Sequence, residues 1–296
     1  MLIKLCKELK KSIDNKEDLV WGEGYFSLIK PLVSVMLDFP EQPKDFSLEV
    51  KEPKTYKKVI LVSGGMDSTI MWWINREEES RLGIYVDLGH NYTELEKNSI
   101  EKAGIKPLKL IKYPLEFEST WKHIIPTRNF LLIALAEQFV AHEGEIWLGA
   151  VQGESSNTKG DKSELFFRMV EELIWRTKRK KVFIKTLKDK TKNEWLKTYL
   201  DKTKDNSILQ TITCFGGTEK PCGACQGCVR KWIAMRYCNL DTNNFFEQDP
   251  YEAGKEYIEK YKLKLKKALD EKDFNHYTKD RAEQDLGVIL DYEKVK

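Results

Sequence analysis

The residues Ser63-Gly64-Gly65-Met66-Asp67-Ser68 stand between an apolar run, Val59-Ile60-Leu61-Val62, and a second one, Thr69-Ile70-Met71-Trp72-Trp73. Two glycines let a backbone turn tightly and approach an anion with no Cβ in the way. A helix that starts there aims its unpaired N–H groups and its dipole at that anion. Ser63 and Ser68 add hydroxyl donors. The arrangement fits phosphate binding, although an ordinary glycine turn from strand to helix has the same form. Neither Gly-x-x-x-x-Gly-Lys-Ser/Thr nor Gly-x-Gly-x-x-Gly is present, so neither a mononucleotide P-loop nor a dinucleotide site is supported.

The second cluster of reactive residues is Cys214-x7-Cys222-x2-Cys225-x2-Cys228. Gly223 and Gly227 supply turns that let four thiolates converge on a tetrahedral ion, and zinc is the first choice. Four sulfurs leave no open coordination position, so such a metal is structural and stabilises a loop-rich segment. An iron–sulfur cluster or persulfide-carrying thiols are the alternatives. Cys6 and Cys238 lie outside the cluster and read as small buried hydrophobes.

These residues need a scaffold. From Lys57 onward short apolar runs alternate with amphipathic stretches, which predicts strands over Val59–Val62, Gly83–Asp87, Leu108–Tyr113, Ile146–Ala150 and Val182–Thr186 with helices between them. Helical spacing is clearest from Phe130 to Ala136 and runs on to Phe139 and Val140. The expected class is α/β, a Rossmann-like doubly wound parallel sheet. Its second strand delivers Asp87 to the edge where a nucleotide binds, as a ribose or adenine contact or as a turn aspartate. His90 reads as structural or exposed.

We divide the chain into a proline-interrupted N-terminal appendage (1–56), an α/β nucleotide-binding domain (57–210), a metal-binding segment (211–239) and a helical C-terminal extension (240–296). In the last, Ala253–Asp270 reads as a surface helix patterned by Tyr257, Ile258, Tyr261, Leu263 and Leu265. The basic block Arg176–Lys181 is a solvated face or a nucleic-acid contact, with few aromatic residues nearby for stacking.

Fifty Lys and Arg against 47 Asp and Glu leave a net charge of +3 over 296 residues, too little to compel binding to nucleic acid or an anionic membrane. The longest uncharged apolar run, Phe130–Ala136, falls far short of the roughly 18 residues needed to cross a bilayer. Met1–Glu8 mixes charges among its apolar positions, unlike a secretory signal. The expectation is a cytoplasmic protein without a membrane partner.

The stretch Ser63–Ser68 resembles the SGGxDS signature of the PP-loop ATP pyrophosphatases. Together with the cysteine knuckle it resembles the 7-cyano-7-deazaguanine synthase family of queuosine biosynthesis. Further matches are Pro126-Thr127-Arg128-Asn129-Phe130-Leu131, Leu148-Gly149-Ala150, Lys190-Thr191-Lys192-Asn193-Glu194 and Cys222-Gly223-x-Cys225-x-x-Cys228-Val229-Arg230. The resemblance covers about residues 57–238. It implies an adenine nucleotide alpha hydrolase-like PP-loop fold with a zinc ribbon, the cofactors ATP, Mg²⁺ and Zn²⁺, and a homo-oligomer.

The activity implied is adenylation of the carboxylate of 7-carboxy-7-deazaguanine, with ammonia then forming the amide and finally the nitrile. By the same resemblance Ser63, Gly64, Gly65, Asp67 and Ser68 hold the pyrophosphate, with Asp67 near the metal ion. Arg128 meets phosphate or carboxylate, unless it caps its helix or pairs with a surface carboxylate. Asn129, Gly149 and Asp87 complete the nucleotide site. The catalytic set is Asp67, Ser68 and Arg128.

The family's base-binding stretch departs here to Thr158-Lys159-Gly160-Asp161-Lys162-Ser163 before Phe166, and only Asp161 and Phe166 survive as substrate contacts. Asp161 would accept from a guanine-like N–H edge, or it is a turn residue. The departure, and the extra residues at both ends, leave room for other acceptors. One alternative passes the adenylated acyl group to a protein or nucleic-acid amine, and another thiolates a tRNA. A non-catalytic binding module is a third, against which the intact Ser63–Ser68 loop argues.

Overall fold

Unbroken apolar runs without an alternating polar face are what a parallel sheet needs when helices cover both of its sides. In a computed structural model that describes residues 54–89, 92–113, 127–153, 160–214, 216, 218 and 220–296, the chain forms five parallel strands, of which β1 and β2 are the clearest such runs. They are β1 (Tyr56–Leu61), β2 (Arg81–Asp87), β3 (Leu108–Lys112), β4 (Val140–Val151) and β5 (Val182–Leu187). Nearly all of the expected appendage, together with His90, Pro126, Thr158 and Lys159, lies outside the described residues.

The strand order is β3-β2-β1-β4-β5. The chain therefore winds outward in one direction from β1 and then in the other, and the crevice between β1 and β4 at the carboxyl ends of the strands is the topological switch point. Successive β1 residues face opposite layers. Val59 and Leu61 pack with α3 (Arg128–Ala136) and α4 (Glu164–Lys178). Ile60 and Val62 pack with α1 (Met66–Ile74), α2 (Thr93–Lys102) and α5 (Lys192–Thr203). This is the doubly wound α/β arrangement expected.

Two expectations need correction. Helical spacing does not carry through to Val140: α3 ends at Ala136, a 3-10 turn covers Glu137–Phe139, and β4 starts at Val140, six residues before the predicted strand. Phe139 and Val140 satisfy both periods, and tertiary contacts decide between them. The Glu137 carbonyl accepts from Val140 N in the 3-10 turn and also from Lys180 Nζ at 2.7 Å. Val140 pairs with Tyr56, while Lys58 pairs with Glu145 across a bulge. Gly144 permits that bulge, because a Cβ there would lie 2.8 Å from the Lys57 carbonyl oxygen.

The second correction concerns residues 253–270. They divide at Gly254 into α7 (Pro250–Ala253) and α8 (Lys255–Asp270), following α6 (Gln226–Tyr237). A Cβ at Gly254 would sit 2.5 Å from Val229 Cγ2, so this bend is pressed against α6. Helix α8 is the amphipathic surface helix expected, with Ile258, Tyr261 and Leu265 buried at helical spacing and Lys260 paired with Glu256, but Leu263 falls on the opposite face and is 66% exposed. A further helix, α9 (Lys279–Val295), packs on α8 and α6. Among the described residues no helix is long and apolar enough to cross a membrane.

Candidate functional site

The loop after β1 is held by its own backbone. Gly64 has φ +65°, and a Cβ on it would lie 2.6 Å from the Glu96 carbonyl oxygen, so only glycine lets α2 approach this closely. The Gly64 carbonyl accepts from Ile212 N at 3.1 Å and from the Ser99 hydroxyl at 2.6 Å. Gly65 is the N-cap of α1 and offers no side-chain cap, which leaves first-turn N–H groups at the mouth of the crevice. Ser68 is only 3% exposed. Its hydroxyl accepts from Ser63 N at 3.3 Å and donates to the Gly65 carbonyl at 2.9 Å, closing the loop on itself.

A cleft of about 390 Å³ opens over this loop. Ser63, Gly65, Asp67, Ser68, Arg128, Asn129 and Gly149 all border it. Gly149 brings β4 close to α1, where a Cβ would be 3.7 Å from Asp67 Cβ. The Asp67 carboxylate pairs with Lys192 Nζ at 3.0 Å, and its other oxygen, Oδ1, is buried with no hydrogen-bond partner. Lys192 stands in the first turn of α5, whose start is a capping box between Thr191 and Glu194.

Four expected residues are placed elsewhere. Gly64 lies behind the loop rather than on the cleft wall. Asp87 accepts from Gly89 N at 3.0 Å and the Thr93 hydroxyl at 3.1 Å and pairs with Lys97, so it builds the turn into α2. The Asp161 carbonyl accepts from Asn129 Nδ2 at 3.3 Å, and Phe166 packs edge-on against Phe167. Neither Asp161 nor Phe166 borders the cleft, but Lys162 does.

Glu96 was not anticipated. It borders the cleft beside Tyr92 and accepts a 2.8 Å hydrogen bond from the Tyr85 hydroxyl. Burial pushes its carboxyl up from 4.5 to about 7, against the Tyr85 hydroxyl and the Arg128 guanidinium, which both favour the charged form. The signal was available: Glu96 lies three residues after buried Thr93 and four before buried Ile100, on the inward face of α2.

The raised value sets a sign. Between pH 4.5 and about 7 the folded chain keeps a proton that the unfolded chain has lost. Stability from this group is therefore complete below 4.5, declines as the pH rises toward 7, and levels off above it. Glu96→Gln is expected to remove that decline, which urea midpoints measured across the range will test. Parallel slopes in variant and parent would mean that Glu96 ionises at an ordinary pH.

The sulfur atoms of Cys214, Cys222, Cys225 and Cys228 all lie within 4.8 Å of one another. Tetrahedral zinc with bonds of about 2.3 Å places sulfurs roughly 3.8 Å apart, and Cys222 and Cys228 are separated by 3.9 Å. The donor set fits zinc. Backbone N–H groups of Gly216 and Cys228 donate to the sulfurs of Cys214 and Cys225. Gly223 turns the knuckle with φ +85°. Cys214, Gln226, Gly227 and Arg230 also border the cleft, so the cysteine segment forms one of its walls.

Residues 90–238 match the family model described as queuosine biosynthesis protein QueC. The chain is also 26% identical over 224 residues to 7-cyano-7-deazaguanine synthase 1 of Colwellia psychrerythraea strain 34H, an alignment covering 66% of this chain and 99% of that protein. The family match takes in Glu96, Arg128, Asn129, Gly149, Lys192 and all four cysteines, and the phosphate-type loop precedes it on the adjoining strand. The chain belongs to the QueC family of queuosine biosynthesis proteins.

Proposed function

We propose that this chain is an ATP-dependent ligase that adenylates the carboxylate of 7-carboxy-7-deazaguanine and uses ammonia to form the amide and then the nitrile, 7-cyano-7-deazaguanine. The observation that carries the reading is the cleft itself. An uncapped helix start, a Lys–Asp pair with an unpartnered carboxylate oxygen, an arginine and a protonatable carboxylate all meet at the switch point of the sheet.

Adenylation joins the substrate carboxylate oxygen to the α-phosphorus of ATP and breaks its bond to pyrophosphate. The α1 N-terminus and the Ser63–Ser68 loop receive the departing pyrophosphate, where fixed dipoles stabilise charge without reorganising. Asp67, through Oδ1, would hold Mg²⁺, which supplies charge neutralisation between triphosphate and carboxylate. Arg128 orients the reacting carboxylate or phosphate.

Ammonia then attacks the acyl carbon, AMP leaves, and the nitrogen loses a proton. Glu96, titrating near neutrality, accepts it. A second ATP activates the amide oxygen, and loss of AMP and the two remaining nitrogen protons gives the nitrile. The cysteine thiolates would hold zinc as a structural ion.

A second acceptor is favoured by one feature. Ser163, in the altered base-binding stretch, is buried and caps α4 by accepting from Phe166 N at 3.2 Å, so Lys162, a cation, is the residue of that stretch on the cleft wall. An amine on a protein or nucleic acid would then take the acyl group in place of ammonia. Incubation with ATP, Mg²⁺ and 7-carboxy-7-deazaguanine, with and without ammonia, followed by mass spectrometry, separates the cases. The expected result is loss of the acid and appearance of amide, then nitrile. Pyrophosphate release without amide points to the macromolecular acceptor, and a base that is never adenylated overturns both.

A further inference from the structure

Beyond the end of the family match at residue 238, the chain returns to the cleft from behind. Thr278 caps α9, and the first turns of that helix lie over the start of α5 and the end of β4. Gln284 makes two bonds there: its Oε1 accepts from the Thr191 hydroxyl at 2.6 Å, and its Nε2 donates to Glu194 Oε1 at 3.0 Å. It thus joins both members of the α5 capping box. One residue on, Asp285 Oδ1 accepts from Asn193 Nδ2 at 2.8 Å. Its Oδ2 accepts from the Tyr261 hydroxyl at 2.6 Å and lies 3.6 Å from Arg281 Nε.

The bonds of Asp285 to Asn193 and Tyr261 are buried away from competing water, and those of Gln284 are half-buried. Residues 191, 193 and 194 are therefore all tied to α9. The residue they enclose, Lys192, turns the other way and meets Asp67 at 3.0 Å. A lysine on a flexible stem is a poor positioning device unless the backbone that carries it is fixed. An error of about 1 Å in a group facing a reacting phosphate is costly.

We propose that α9 is a positioning element of the nucleotide site: Gln284 and Asp285 lock the first turn of α5 and so deliver Lys192 to Asp67 at the phosphate loop. Gln284 is a positioning residue that never needs to touch the nucleotide. The inference rests on the reading of the cleft as an ATP site, but not on which acid is adenylated.

The test is binding of ATP with Mg²⁺ by titration calorimetry to the full chain, the Gln284→Ala and Lys192→Ala variants, and the double variant. Gln284→Ala is expected to weaken binding about tenfold, the scale of a lost hydrogen bond to a charged group, with zinc content and circular dichroism unchanged. In the Lys192→Ala background the same substitution is expected to add nothing, because its effect passes through that lysine. A merely structural contact would give additive losses, and that result overturns the proposal, as does an unchanged Kd in Gln284→Ala. Gln284→Leu keeps the volume while losing both bonds and serves if the alanine variant is unstable. If neither folds, the contact is structural and the proposal falls. A parent chain that fails to bind ATP removes this inference and the proposed function together; ATP bound without turnover of the deazaguanine acid removes only the latter.

Discussion

A Cys228→Ser chain is expected to purify without metal and with its C-terminal helices melted. The parent should hold about one zinc per chain. Cys214 and Cys228 are not only sulfur donors: both are buried in one apolar cluster with Val229, Trp232, Ile233, Ile258, Tyr261, Leu265 and Ile289. Losing one of four thiolates opens a closed site. Structural zinc in small modules contributes about 10–16 kcal/mol, while a whole domain is stable by only about 5–15 kcal/mol. The helices packed on that cluster cannot compensate for such a loss. Plasma emission for zinc and far-ultraviolet circular dichroism, read together, test this. Iron with a visible absorption band, or a folded chain that never held metal, would overturn the structural-zinc reading.

Asp67→Asn is expected to lower pyrophosphate release by about 10²- to 10³-fold, the scale seen when one preorganised electrostatic contact is removed from a reacting centre. The substitution keeps the shape of the side chain but removes the charge that Lys192 meets and that a metal ion would need. The fold should be unaffected, because α1 is anchored by Ile70, Met71 and Trp72, all buried. Ser68→Ala is a different case. Its hydroxyl closes the loop internally, so it should cost both turnover and about 1 kcal/mol of stability. Wild-type pyrophosphate release by Asp67→Asn would remove Asp67 from the nucleotide site.

The inner strands were legible because parallel strands buried on both faces write themselves as apolar runs, as β1 and β2 do, whereas the edge strand β3, with Lys109 and Lys112, is largely exposed. The loop and the cysteine knuckle were legible because turn glycines and ligand spacing are local properties. What failed was non-local. The start of β4 at Val140 is set by pairing with Tyr56, more than eighty residues earlier in the chain. Glu96 carries no motif, and its importance comes from burial beside Tyr85 and Arg128, which belong to other elements. Within the helical extension read for 240–296, α9 was not delimited, because polar residues, Arg281 and Asp285, occupy two of its four buried positions. Asp285 finds its partners on α5 and α8, and no local pattern announces them. Asp87 had two readings from sequence, and the structure gives its carboxylate three partners in the turn into α2.

Cys214 belongs at once to the sulfur cluster and to the wall of the cleft, and Gln226, Gly227 and Arg230 extend that wall into α6. Should a metal held by the cysteines change the affinity of the cleft for a nucleotide through this wall, the coupling is reciprocal. Whatever factor the metal contributes to nucleotide affinity, the nucleotide must return to metal affinity. A filled nucleotide site would in that case defend the ion against competing chelators.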